Sequence, residues 1–96
     1  MLDLSQYDGF DWDQGNLMKN WDKHRVSPGE CEQIFFHQPL IILFYSEHSE
    51  FEEPLYVMGK TDRCRRLFLV CTTRGSRIRV ISARDMTKAE KTRYET

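Results

Sequence analysis

Arg77-Ile78-Arg79-Val80-Ile81-Ser82-Ala83-Arg84 decides the fold. Charged and β-branched side chains alternate over its first four residues, the period of a strand with one buried face. Ile78 and Val80 then face a core. Arg77 and Arg79 face outward together, about 7 Å apart by strand geometry. The alternation breaks at Val80-Ile81, and Arg84 stands at the strand end. Working outward, Arg74-Gly75-Ser76 is a hairpin turn signal, and Leu67 to Thr73 is the strand before it. Leu55 to Lys60 is another strand, with Asp62-Arg63 turning the chain between the two. Leu40 to Tyr45 reads as a buried strand, and residues 46–53 as an exposed acidic loop.

The helices flank these strands. Phe10 to Asp13 alternates apolar and acidic residues and reads as a short strand. Asp13 caps a helix from about Gln14 to His24. Leu17, Met18 and Trp21 supply its apolar stripe, with Asn20, Lys23 and His24 beside it. Ser27-Pro28-Gly29-Glu30 opens a second helix, with a serine cap, a proline at the first position and a glutamate completing a capping box. Cys31, Ile34 and Phe35 carry its apolar face, and Pro39 limits it. Thr87 and Glu90 form a second capping box for a basic helix ending near Glu95. The order β-α-α-β-β-β-β-α implies an α+β domain over residues 1–96, an antiparallel sheet with two N-terminal helices and a C-terminal helix.

Composition narrows the function classes. Forty per cent hydrophobic residues and 12% aromatics make a globular chain, not a disordered one. No apolar run approaches the roughly 20 residues that span a bilayer, and Met1 to Tyr7 carries no basic cluster of a secretory signal. The expected location is the cytoplasm. Cys31, Cys64 and Cys71 are an odd set without zinc spacing, so neither a disulfide framework nor a metal site is expected. No cofactor is expected either.

The net charge of −1 hides a polarity. Residues 1–59 hold three Lys/Arg against eleven Asp/Glu, and residues 60–96 hold eleven against four. Two readings are open: a surface that faces a polyanion, or two halves that neutralise each other on folding. The arginines of 77–84, beside a helix carrying Lys88, Lys91 and Arg93, suit phosphate. They equally suit solubility and edge protection.

Beyond these patterns, Phe10-Asp11-Trp12-Asp13, then Asn20, Lys23-His24 and Val26, resembles the N-terminal signature of the BrnT toxin family. Arg79-Val80-Ile81-Ser82-Ala83-Arg84, followed by Thr87, Glu90 and Tyr94, resembles its C-terminal one. Gly59 and Leu67 to Thr73 fit between. The resemblance runs from about residue 8 to 95. It implies a RelE-like fold and the toxin half of a type II toxin–antitoxin pair. It implies an RNA-cleaving enzyme silenced by a BrnA-type antitoxin. A homodimer and a toxin–antitoxin heterotetramer are both open. The chain departs from the family pattern at Asn16, where a lysine is usual, and at Pro54, where an arginine usually follows the glutamate.

Metal-free RNA cleavage needs a base for the 2′-OH, cations for the phosphorane and an acid for the leaving 5′-oxygen. With the resemblance in hand, charge stabilisation falls to Arg79 and Arg84, helped by Lys23. Base or acid duty falls to His24 or Glu53. Arg77, Lys88, Lys91 and Tyr94 are the expected RNA contacts. Each has an ordinary alternative: His24 at a helix C-terminus, Glu53 as loop solvation, Tyr94 as packing, Trp12 and Trp21 as core. The remaining alternative for the whole chain is a catalytically weakened module that binds antitoxin or RNA without cleavage.

Overall fold

The computed structural model describes residues 8–44 and 54–95. Five strands form one sheet in the order β1-β5-β4-β3-β2. These are β1 (Gly9–Asp11), β2 (Ile41–Phe44), β3 (Leu55–Lys60), β4 (Arg66–Arg74) and β5 (Arg77–Asp85). Helices α1 (Gln14–His24) and α2 (Pro28–Gln33), with a 3-10 turn at Ile34–Phe36, follow β1, and α3 (Lys88–Glu95) ends the fold. The acidic loop expected at 46–53 lies outside the described residues.

The neighbours among β2, β3, β4 and β5 run antiparallel, as expected. β1 does not: it adds to β5 in parallel, pairing Gly9 with Arg77, Phe10 with Ile78 and Asp11 with Arg79. The sheet is therefore mixed. A three-residue alternation carries no direction, so only tertiary contacts set it. The Asp8 amide donates to the Ser76 carbonyl at 2.7 Å, which starts β1 beside the β4–β5 hairpin. Phe10 then lies next to Ile78 and reaches the core.

The caps hold as read. Asp13 accepts from the Asn16 amide at 3.1 Å. Ser27 and Glu30 bond reciprocally at 3.1 and 3.2 Å, and Thr87 and Glu90 do so at 2.8 and 3.2 Å. Each pair satisfies donors that a helix start leaves free.

The two sheet faces differ. On the α1/α2 face, Val26, Cys31 and Ile34 pack on Leu55, Val57, Leu67, Leu69, Cys71, Ile78, Val80 and Ala83, with Trp12 and Phe35 at the border. On the opposite face, α3 covers only part of the sheet, with Tyr94 and Met86 on Met58 and with Ile41, Leu43 and Phe68 beside them. Gly59 lies where the first face is tightest. A Cβ there would meet the Ile34 Cβ at 2.9 Å.

One helical stripe departs from expectation. Met18 and Trp21 are 58% and 48% exposed, and the buried residue of α1 is Asn20. The helix docks on β5 through a hydrogen bond instead of an apolar seam: the Asn20 Oδ1 accepts from the Ala83 amide at 3.2 Å. Trp21 is shielded by Arg25, whose guanidinium lies 5.3 Å from its ring centroid.

Candidate functional site

The break at Val80-Ile81 is a β-bulge. Cys71 pairs with Val80 and Val70 with Ser82, leaving Ile81 as the extra residue on β5. A strand with period two sends residues five apart to opposite faces. The extra residue restores the phase, so Ala83 returns to the core at 0% exposure. Arg79 pairs with Thr72 and Arg84 with Phe68, and those two β4 positions share the α3 face. The bulge thus places both arginines on one face.

Arg84 is held from two sides. Its Nη1 and Nη2 donate to the two Glu90 carboxylate oxygens at 2.7 and 3.0 Å, a bidentate pair. Its guanidinium stands 4.4 Å from the Phe68 ring centroid, a cation–π distance. The Arg84 hydrogen bond, foremost, holds the Glu90 carboxyl down at about 2. The Tyr56 ring lies 5.8 Å from that of Phe68.

Arg79 lies nearer the hairpin, roughly 13 Å from Arg84 at four strand residues of rise. Its Nη2 donates to Asp11 at 3.1 Å, across the parallel β1–β5 pair. Its Nε is buried without a hydrogen-bond partner. Arg77 is exposed and stands directly opposite Arg74 in the β4–β5 register.

Lys23 and His24 are exposed in the last turn of α1, in the other layer. Arg65 ties that turn to the end of β5. It donates to the His24 and Arg25 carbonyls at 3.0 and 2.9 Å, to Glu30 at 3.0 Å, and to both Asp85 oxygens at 2.7 and 3.1 Å. Arg65, above all, keeps the Asp85 carboxyl below its ordinary value, with Lys91 and His24 adding to the effect. His24 and Lys91 therefore lie near the Asp85 end of β5, with Arg84 beside it on the α3 face, and Arg79 and Arg77 stand at the other end. The expected group of cations is two groups.

One expectation changes. Tyr94 is buried, and its hydroxyl donates to the Pro39 carbonyl at 2.5 Å, so it packs α3 against the sheet and is not placed to touch RNA. Lys88 is exposed on the first turn of α3. Glu53 lies outside the described residues. His37, which has no constellation in the sequence, stands 2.6 Å from Asp62. Arg65 and Tyr56 are the residues that sequence reading missed. Arg74 left a trace as the start of the basic turn, and Asn20 as a polar residue beside the apolar stripe of α1.

The fold and site define a class, that of small α+β domains with a half-covered sheet face lined with arginines and aromatics. Comparison with known proteins makes this specific. The family model for the BrnT ribonuclease toxin of type II toxin–antitoxin systems matches residues 12–90, and the chain belongs to that family. Membership implies an antitoxin partner. The crystal structure of the Brucella abortus ribonuclease toxin BrnT has the same fold, with a TM-score of 0.59 at 17% identity, covering 83% of this chain and 97% of that one. No curated protein matches the chain. No helix among the described residues is long and apolar enough to cross a membrane.

Proposed function

We propose that the protein is an endoribonuclease that cleaves RNA without a metal ion and is neutralised in the cytoplasm by a BrnA-type antitoxin. The observation that carries this reading is the bulge, which sets Arg79 and Arg84 on one face with Arg84 anchored by Glu90 and Phe68. A guanidinium fixed by a carboxylate and a ring is pre-organised for a phosphorane.

Arg84 is the centre of the reaction in this scheme. It stabilises charge as the 2′-oxygen attacks phosphorus and the 5′-oxygen leaves. His24, whose carbonyl is clamped by the Arg65 that also grips Asp85, is the imidazole candidate for acid or base at that end of β5. Lys23 and Lys91 attract flanking phosphates. Arg79, Arg77 and Lys88 hold the strand elsewhere, and Glu53 remains the other acid–base candidate.

Purified full-length chain incubated with RNA tests this. Arg84→Ala lowers the cleavage rate roughly 10²–10³-fold, the usual effect of removing one transition-state donor. Expressed in cells, the wild type slows growth and degrades RNA, and Arg79→Ala does less of both. Intact RNA with the wild type sinks the nuclease reading. It would leave the second one, a module that binds antitoxin or RNA without cutting. That second reading is favoured by one observation: Arg79 and Arg84 each bond to a carboxylate, and among the described residues no imidazole bonds to either.

A further inference from the structure

We infer that the β4–β5 hairpin carries a phosphate-anchoring site, built from Arg74, Arg77 and Arg79, that holds a single-stranded RNA whose bases lie on the Tyr56–Phe68 floor leading to Arg84. The inference rests on the ribonuclease reading above and adds a binding site and a strand form to it.

Arg74 and Arg77 are direct cross-strand partners and share the face of Arg79 and Thr72. Like charges placed opposite each other on a sheet repel, and Cβ atoms there are only about 5 Å apart. Arg79 stands one step along the same face, about 7 Å away. Beyond the backbone ladder that joins them, neither the Arg74 nor the Arg77 side chain makes a hydrogen bond or ion pair among the described residues. The nearby carboxylates are engaged: Asp8 accepts from the Ser76 hydroxyl at 2.7 Å, and Asp11 from Arg79 at 3.1 Å. Arg79 keeps a buried Nε with no partner. A hairpin end that keeps three cations together, one with an unused donor, is stabilised by a phosphodiester more than by water.

The ground between this site and Arg84 is largely apolar, interrupted by the hydroxyls of Thr72 and Ser82. It holds Ile81 at 37% exposure, Val70, and the Tyr56–Phe68 pair. Phosphate contacts at the two ends of an aromatic and aliphatic floor are the pattern of single-strand binding, in which bases stack and need not be read individually. A duplex has its bases stacked inside and presents none to such a floor. A double-stranded polyanion would need a groove or a shape-matched surface instead.

The test is fluorescence anisotropy with the full-length protein and a short labelled single-stranded oligoribonucleotide, competed by the same sequence as an RNA duplex and as a DNA duplex. Arg74→Ala with Arg77→Ala weakens binding at least tenfold. It also lowers the slope of log affinity against log salt by about 1–2, as expected when two phosphate contacts are lost. In cleavage assays KM rises more than kcat falls. Lys19→Ala, which removes a positive charge from the other layer, leaves affinity unchanged. Tyr56→Ala weakens single-strand binding and leaves the weak duplex binding as it was. Unchanged affinity in the double arginine variant, with cleavage intact, overturns this inference and spares the ribonuclease reading. Equal affinity for either duplex also overturns it. A wild type that neither binds nor cuts RNA overturns both.

Discussion

Asn20 accepts from the Ala83 amide while only 4% of its surface is exposed. Ala83 follows the bulge, where the sheet ladder is disrupted and an amide needs a partner from elsewhere. Asn20→Ala leaves that amide buried and unpaired, which costs about 1–3 kcal/mol. Urea unfolding measures the difference, and a variant as stable as the wild type refutes the role. Glu90 makes a second prediction at this scale. Its carboxyl lies at about 2 when folded, against an ordinary 4.5, chiefly through Arg84. A group depressed on folding binds fewer protons in the native state, so its stabilisation is complete above about 4.5 and is lost as pH falls toward 2. Melting of the wild type and Glu90→Gln should therefore differ near neutrality and converge through that window. Curves that stay parallel to pH 2 would show that the pair does not stabilise the fold. Neither role could be read from the chain, because a polar residue beside an apolar stripe gives no sign that it is the one turned inward.

At the scale of elements, close approach and clamping decide what holds. Gly59 on β3 faces the 3-10 turn, and its missing side chain lets the Ile34 Cβ and carbonyl approach. Gly59→Ala forces the turn away and costs about 1–3 kcal/mol by overpacking, measurable as a lower thermal midpoint at unchanged secondary structure. Arg65 clamps α1, α2 and β5 through five hydrogen bonds. Arg65→Lys keeps the charge and loses the fork, so the last turn of α1 should exchange its amides faster while the centre of β4 stays slow. Equal exchange in both variants would count against the clamp. Elements themselves were legible where local chemistry announces them. Ser27 to Glu30 and Thr87 to Glu90 are caps by sequence and by structure, and the 55–60 strand matches residue for residue. The rotation of α1 was not legible. Leu17, Met18 and Trp21 have helical spacing, but a hydrogen bond donated to Asn20 by the Ala83 amide sets which side meets β5.

Across the whole molecule, the acidic and basic halves of the chain do neutralise each other, but only in places. Asp11 meets Arg79, and Glu30 meets Arg65. The hairpin and the outer side of α3 keep their cations exposed. Ion pairs and exposed cations thus stand side by side at the hairpin end of the sheet. Because partly exposed pairs stabilise a fold by about 1 kcal/mol or less each, raising salt from about 0.1 to 1 M should move the thermal midpoint by only a few degrees. The same change screens contacts beyond about 3 Å and should reduce RNA binding by orders of magnitude. A midpoint that falls as steeply as the binding would mean that the charges hold the fold and not the ligand. The direction of β1 belongs to this scale too. Its pairing joins residues 68 apart in the chain, and no local pattern encodes such a contact.

Ile81 makes the shared facing of the two arginines depend on the bulge. A regular strand drawn through the same five residues would turn one guanidinium toward Leu69 and Val80. Without Ile81 the arginines would be four residues apart, a spacing that keeps both on one face with no bulge at all. The charges can therefore survive the loss of the extra residue but not its straightening into the ladder.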